Sequence, residues 1–76
     1  MRVKLNEVEK IKKVCDICNK FADDVYAISG NHRVNAKSIL GLFSLDLSKD
    51  VQLVIDSYKP SVITSFMREI KKMLGE

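Results

Sequence analysis

The sequence lacks the long apolar segments of a membrane or secreted protein. No apolar run approaches the roughly 20 residues that a membrane-spanning helix needs. The basic start, residues 1–7, is not followed by the apolar core of a signal peptide. We therefore expect a cytoplasmic location. No repeat, linker or low-complexity stretch divides the 76 residues, which predicts a single small domain over residues 1–76.

Cysteine and histidine are too few to build a metal site or a disulfide framework. The chain has only Cys15, Cys18 and His32 of these types, and a zinc site needs four ligands. Both cysteines lie within a helical pattern, whereas a redox pair is expected at a strand-to-helix turn. We interpret them as small core residues and His32 as a surface turn residue. We expect no metal, no cofactor and a reducing compartment.

Charge gives little support to a nucleic-acid partner. The net charge is +3, from 13 lysines and arginines against 10 acids that are interspersed with them. This mixture is typical of solvated helix faces, while a nucleic-acid interface needs a clustered basic face. The two tyrosines, Tyr26 and Tyr58, are interpreted as packing residues of a strand or loop. The 46% apolar and 30% charged content fits an ordinary globular protein.

The apolar periodicity predicts seven elements. Asn6 and Glu9 have the spacing of a capping box at the start of the first helix, Gly30-Asn31 is typical of a hairpin turn, and Pro60 and Gly75 mark the ends of the last helix. The predicted elements are a strand at 2–5, a helix from 8 to 21 or 22, strands at 25–29 and 32–36, a short helix to about 45, a strand at 51–56 and a final helix from 60. This βαββαβα order predicts an α+β open-faced sandwich, with a four-stranded antiparallel sheet and three helices on one face.

Residues 34–45, VNAKSILGLFSL, contain the most informative local pattern. A short strand leads to Ser38, and an apolar helical turn follows at once, so Ser38 is predicted to be a helix N-cap. A phosphate on its hydroxyl would face the free amides of that turn. Ile39, Leu40 and Phe43 cannot all point into the core from so short a helix. We therefore expect an exposed apolar patch, which is typical of a partner site.

These residues resemble the regulatory-serine segment of HPr, the histidine-containing phosphocarrier of the bacterial sugar phosphotransferase system (PTS). They are more similar still to the catabolite-repression HPr-like proteins, which keep the serine but lack the phosphocarrier histidine. Outside residues 34–45 the resemblance rests on the element order alone. It implies that an ATP-dependent kinase phosphorylates Ser38. It also implies that protein partners, HPr kinase or a transcriptional regulator, contact Lys37, Ile39, Leu40 and Phe43.

The resemblance also implies a phosphocarrier histidine at the start of the first helix, followed by Ala-Arg-Pro. Counting back without gaps places Glu7 at the histidine position and Val8, Glu9 and Lys10 after it. Two carboxylates there would repel a phosphoryl dianion, so we expect no phosphotransfer and no enzyme activity. The sequence favours an HPr-like regulatory or adaptor protein. The alternatives are a phosphocarrier of the PTS and, as a distant third, a nucleic-acid-binding domain.

Overall fold

The computed structural model describes residues 1–75, which form four strands and three helices. The elements and their bounds are β1 (Arg2–Val3), α1 (Val8–Cys18), β2 (Val25–Ser29), β3 (His32–Asn35), α2 (Ile39–Phe43), β4 (Val51–Ile55) and α3 (Pro60–Met73). Among these residues no helix is long and apolar enough to cross a membrane.

The four strands form one antiparallel sheet in the order β1-β4-β2-β3. The β2–β3 hairpin pairs Ser29 with His32 across a two-residue turn. Gly30 has φ 59°, whereas Asn31 does not have a positive φ. A positive φ at the first turn residue only is what a Gly-first hairpin requires, so the turn prediction is confirmed.

The core lies between one face of the sheet and the helices. Val25, Ala27 and Ser29 point inward from β2, as the two-residue period of a strand dictates. On α3, the buried ring of Phe66 meets Phe21 edge-to-face, with ring centroids 5.5 Å apart. The remaining buried apolar residues are Val3, Leu5, Ile11, Val14, Cys15, Ile17, Cys18, Ala36, Leu42, Leu45, Val51, Leu53 and Ile70. The predicted α+β sandwich with three helices on one face is confirmed.

The helix α1 begins at Val8 as predicted, but the predicted cap at its start and its predicted end are wrong. The helix stops at Cys18, because Asn19 takes the C-cap position and its side-chain amide donates to the Cys15 carbonyl at 2.8 Å. At the other end, the N-cap is Glu7 and no side chain caps it. The Asn6 side chain, predicted to open a capping box, instead accepts from Lys10 Nζ at 3.4 Å.

Other predicted boundaries are wrong by one or two residues. Strand β1 ends at Val3 rather than at residue 5, and β3 and β4 each end one residue earlier than predicted. Helix α2 ends at Phe43, and Ser44 is its C-cap. Pro60 is confirmed in the first turn of α3, and Gly75 has φ 83° just after it. Tyr58 does not pack as predicted, because 95% of it is exposed.

Candidate functional site

Ser38 lies between the end of β3 and the first residue of α2. Its backbone is extended (φ −101°, ψ 117°), and its Oγ accepts from the Gly41 amide at 3.2 Å. Its carbonyl accepts the first helical hydrogen bond, from the Leu42 amide at 3.0 Å. These contacts define an N-cap, so the capping prediction for Ser38 is confirmed.

Gly41 allows α2 to lie close against the end of β3. A Cβ at this position would lie 3.2 Å from the Asn35 carbonyl oxygen and 3.5 Å from Ser38 Oγ. A side chain at Gly41 would therefore require its neighbours to move by a few tenths of an ångström. The absence of a side chain at Gly41 permits this close approach of α2 to the end of β3.

The short α2 helix has a buried side and an exposed apolar side. Leu42 is fully buried, and Ile39 is half-buried against the core. Leu40 is 78% exposed and Phe43 is 43% exposed. The expectation that Ile39, Leu40 and Phe43 cannot all be buried is confirmed, whereas their contact with a partner stays a prediction.

The exposed side of α2 continues to the start of α1. Phe43 and Val8 line a shared groove of about 360 Å³, and Val8 is 52% exposed. Leu40 lies one turn before Phe43, on the same side of α2. We refer to Val8, Leu40 and Phe43 as the apolar face. Exposed apolar residues grouped in this way are typical of a protein interaction site.

The end of the groove at the start of α1 is acidic. Glu7, the α1 N-cap, lines the groove and is exposed, and Glu9 is in the first helical turn. Carboxylates are favourable at this end of a helix, where the main-chain amides are unpaired. Their negative charge also disfavours an anion at this end of the helix, because like charges repel.

Lys37 has every polar group engaged within the chain. Its ammonium donates to the Phe21 carbonyl at 2.6 Å, and its amide donates to Asn35 Oδ1 at 2.9 Å. Its carbonyl accepts from Asn19 Nδ2 at 3.1 Å. The ammonium therefore links the segment before α2 to the chain just after α1, and contact of Lys37 with a partner stays a prediction.

The two cysteines are buried free thiols. Burial, followed by the neighbouring Cys15, raises the pKa of Cys18 to about 12. Burial, followed by Asp16, raises the pKa of Cys15, whose Sγ lies 3.4 Å from the Lys37 carbonyl oxygen. A reactive thiol needs a lowered pKa, so neither cysteine has the environment of a redox centre. Within residues 1–75, no group of three or more His, Cys, Asp or Glu side chains could hold a metal ion.

His32 lies where the sequence predicts, whereas Asn19 makes a contact that was not predicted. His32 is exposed at the start of β3 and borders a pocket with Asp46 and Lys49, as the surface turn interpretation expects. Asn19 was not predicted to matter, yet it contacts the residue before Ser38. An asparagine just after a helix is a known C-cap signal, but nothing local indicates its second contact.

The fold and the capped serine define a small α+β sandwich of the HPr type. The family model of the PTS HPr component phosphorylation site matches residues 8–73, which is most of the chain. The chain therefore belongs to the HPr family of the PTS. No curated protein matches it closely enough to be counted as a relative.

Two solved structures have the same fold. HPr-C-His from Thermoanaerobacter tengcongensis has a TM-score of 0.74 and 23% identity, over 100% of this chain and 94% of its own. Crh, the catabolite repression containing protein of Bacillus subtilis, has a TM-score of 0.65 and 23% identity, over 95% of this chain and 85% of its own. Its structure is described as an intertwined dimer with a swapped domain.

Proposed function

We propose that this chain is an HPr-family regulatory or adaptor protein without the phosphocarrier histidine. It binds protein partners through Ser38 and the apolar face, under the control of phosphorylation at Ser38. The observation that carries this proposal is the position of a capped serine two residues before the exposed Leu40. We further propose that it acts in the cytoplasm and is not an enzyme.

The start of α1 supports a role other than phosphocarrier. Glu7 lies where the family resemblance implies the histidine, and a carboxylate cannot form a phospho-imidazole. Glu9 replaces the arginine that would neutralise the phosphate. The single histidine, His32, belongs to the β2–β3 hairpin and not to a helix start.

Phosphorylation would act on the apolar face mainly through charge. A phosphoserine carries about two negative charges, and at Ser38 it would lie beside Leu40 and one turn from Phe43. This charge disfavours an apolar partner and favours one that offers arginine or lysine. Because α2 has only five residues, its dipole is small, and stabilisation of the helix by the phosphate is a lesser effect than the sequence pattern suggested.

The partner classes are those that the family resemblance implies. HPr kinase is the proposed partner of the unmodified protein. A transcriptional regulator is the proposed partner of the phosphorylated form, as the family resemblance implies. The resemblance implies an arginine at position 9 as part of that second interface, so we expect Glu9 to weaken it.

The test is incubation with HPr kinase and ATP, followed by intact-mass spectrometry. We expect the wild type to gain the mass of one phosphate and Ser38→Ala to gain none. Ser44→Ala, which changes a serine just after the same helix, is the matched control and should be modified like the wild type. An unchanged wild-type mass would refute control by phosphorylation, and modification of Ser38→Ala would refute the site.

A further inference from the structure

The peptide group that joins Lys37 to Ser38 is held on both sides. On one side, its carbonyl oxygen accepts from Asn19 Nδ2 at 3.1 Å and lies 3.4 Å from the Cys15 thiol. On the other, the Ser38 amide donates to the Asn35 carbonyl at 3.0 Å. The Ser38 Cα lies in the plane of this peptide group. These hydrogen bonds therefore fix the position of the atom from which the Ser38 side chain extends.

The end of α1 supplies the long-range part of this arrangement. Asn19 is 18 residues from Lys37 in sequence, and its side-chain amide also donates to the Cys15 carbonyl at 2.8 Å. One amide group therefore caps α1 and holds the segment before α2. The Lys37 ammonium adds a second connection to the Phe21 carbonyl, and the Phe21 ring packs on Phe66 of α3.

We propose that Asn19 is a positioning residue for phosphorylation of Ser38 and that it acts through its hydrogen bond to the Lys37 carbonyl. This inference rests on the proposed function, because it assumes that Ser38 is the acceptor. A protein kinase substrate must present its hydroxyl in line with the phosphate that is transferred, and an error of about 1 Å can cost about 100-fold in rate. The hydrogen bonds of the Asn19 side chain set the position of the Ser38 hydroxyl before the kinase binds.

The test separates positioning from docking through the kinetics of HPr kinase. Asn19→Leu keeps a similar volume but removes the donor, so we expect kcat to fall about tenfold with KM unchanged. Asn19→Gln, which keeps the amide, should recover part of the rate. Leu40→Ser removes a contact of the apolar face and should instead raise KM. Asn31→Leu changes an exposed asparagine in the β2–β3 turn, away from the apolar face, and should behave like the wild type.

A second readout needs no kinase. Hydrogen exchange at the Ser38 amide, measured by NMR on the unmodified protein, should be faster in Asn19→Leu than in the wild type and unchanged in Asn31→Leu. Thermal unfolding of each variant shows that the comparison is made between folded proteins. Asn19→Asp, isosteric but without a donor, repeats the test if Asn19→Leu does not fold.

The outcomes distinguish the two proposals. If the wild type is phosphorylated and Asn19→Leu keeps both kcat and Ser38 amide exchange, the positioning role is refuted and the proposed function stands. A rise in KM for Asn19→Leu at constant kcat would make Asn19 a docking contact and also refute positioning. If the wild type is not phosphorylated, the proposed function fails and the role of Asn19 in phosphorylation fails with it.

Discussion

Helices α1 and α2 both begin at a residue with an extended backbone, Glu7 (φ −134°, ψ 140°) and Ser38 (φ −101°, ψ 117°). The Ser38 side chain caps its own helix by accepting from Gly41, whereas no side chain caps α1. The two starts lie on either side of one apolar face. The family resemblance implies a phosphorylated residue at each start, and we propose that only Ser38 is phosphorylated in this chain. The comparison shows that one of the two helix starts has a side-chain cap and the other has none.

The largest expected effect is a gain of phosphotransfer when the start of α1 receives the histidine and arginine that the family resemblance implies. Glu7→His combined with Glu9→Arg supplies an imidazole nucleophile and a cation to neutralise its phosphate. We expect this double variant to acquire an acid-labile phosphate from phosphoenolpyruvate and Enzyme I, detected by intact mass. Glu9→Arg alone is the matched control and should gain none. Modification of that control would show that the missing histidine is not what prevents transfer.

The next largest effect is a difference in the free energy of unfolding between variants on the two sides of α2. Leu42 is fully buried, so Leu42→Ala should lower the free energy of unfolding by about 3 kcal/mol. Leu40 is exposed, so Leu40→Ala should change it by less than about 0.5 kcal/mol. Urea denaturation measures both. Similar losses in the two variants would mean that Leu40 supports the fold and is not held on the surface for a partner.

A smaller effect compares the two N-caps directly. Ser38→Ala removes a capping hydrogen bond and should cost about 1 kcal/mol of unfolding free energy. Glu7→Ala removes no capping bond and should cost less. The same denaturation experiment measures both variants. Equal costs would remove the structural distinction between the two helix starts.

Signals that act between near neighbours in sequence could be predicted. The Ser38 cap, the Gly30 turn, and the ends of α3 at Pro60 and Gly75 each depend on the backbone preferences of one or two residues. The element order followed from hydrophobic periodicity, and with it the sheet and the side that the helices cover. The exposure of Leu40 and Phe43 followed from the short length of α2.

Contacts between distant residues could not be predicted. The apolar pattern of α1 continues to Phe21, but the helix ends at Cys18 and Phe21 lies beyond it. The Phe21 ring packs on Phe66, which is 45 residues away in sequence. Lys37 resembled an exposed cation beside Ser38, and only the folded chain brings the Phe21 carbonyl to its ammonium. The dual contact of Asn19 likewise depends on where α1 ends in space.

The smallest effect concerns Asp46, whose carboxylate accepts from the Ser48 hydroxyl at 2.6 Å and the Ser48 amide at 3.1 Å. These hydrogen bonds lower the pKa of Asp46. Because the pKa of Asp46 is lower in the folded state than in the unfolded state, this carboxylate stabilises the fold at pH values above its unfolded-state pKa. That stabilisation is lost as the pH falls through the folded-state pKa. Ser48→Ala should raise the Asp46 pKa in an NMR titration. No change would exclude the hydroxyl as the cause.

The central claim is that phosphorylation occurs at the start of α2 and not at the start of α1. It is tested most directly by intact-mass spectrometry after two parallel incubations, one with HPr kinase and ATP and one with Enzyme I and phosphoenolpyruvate. We predict one phosphate on the wild type in the first incubation, absent from Ser38→Ala, and none in the second. An acid-labile phosphate in the second incubation, with none in the first, would contradict the account and identify a phosphocarrier.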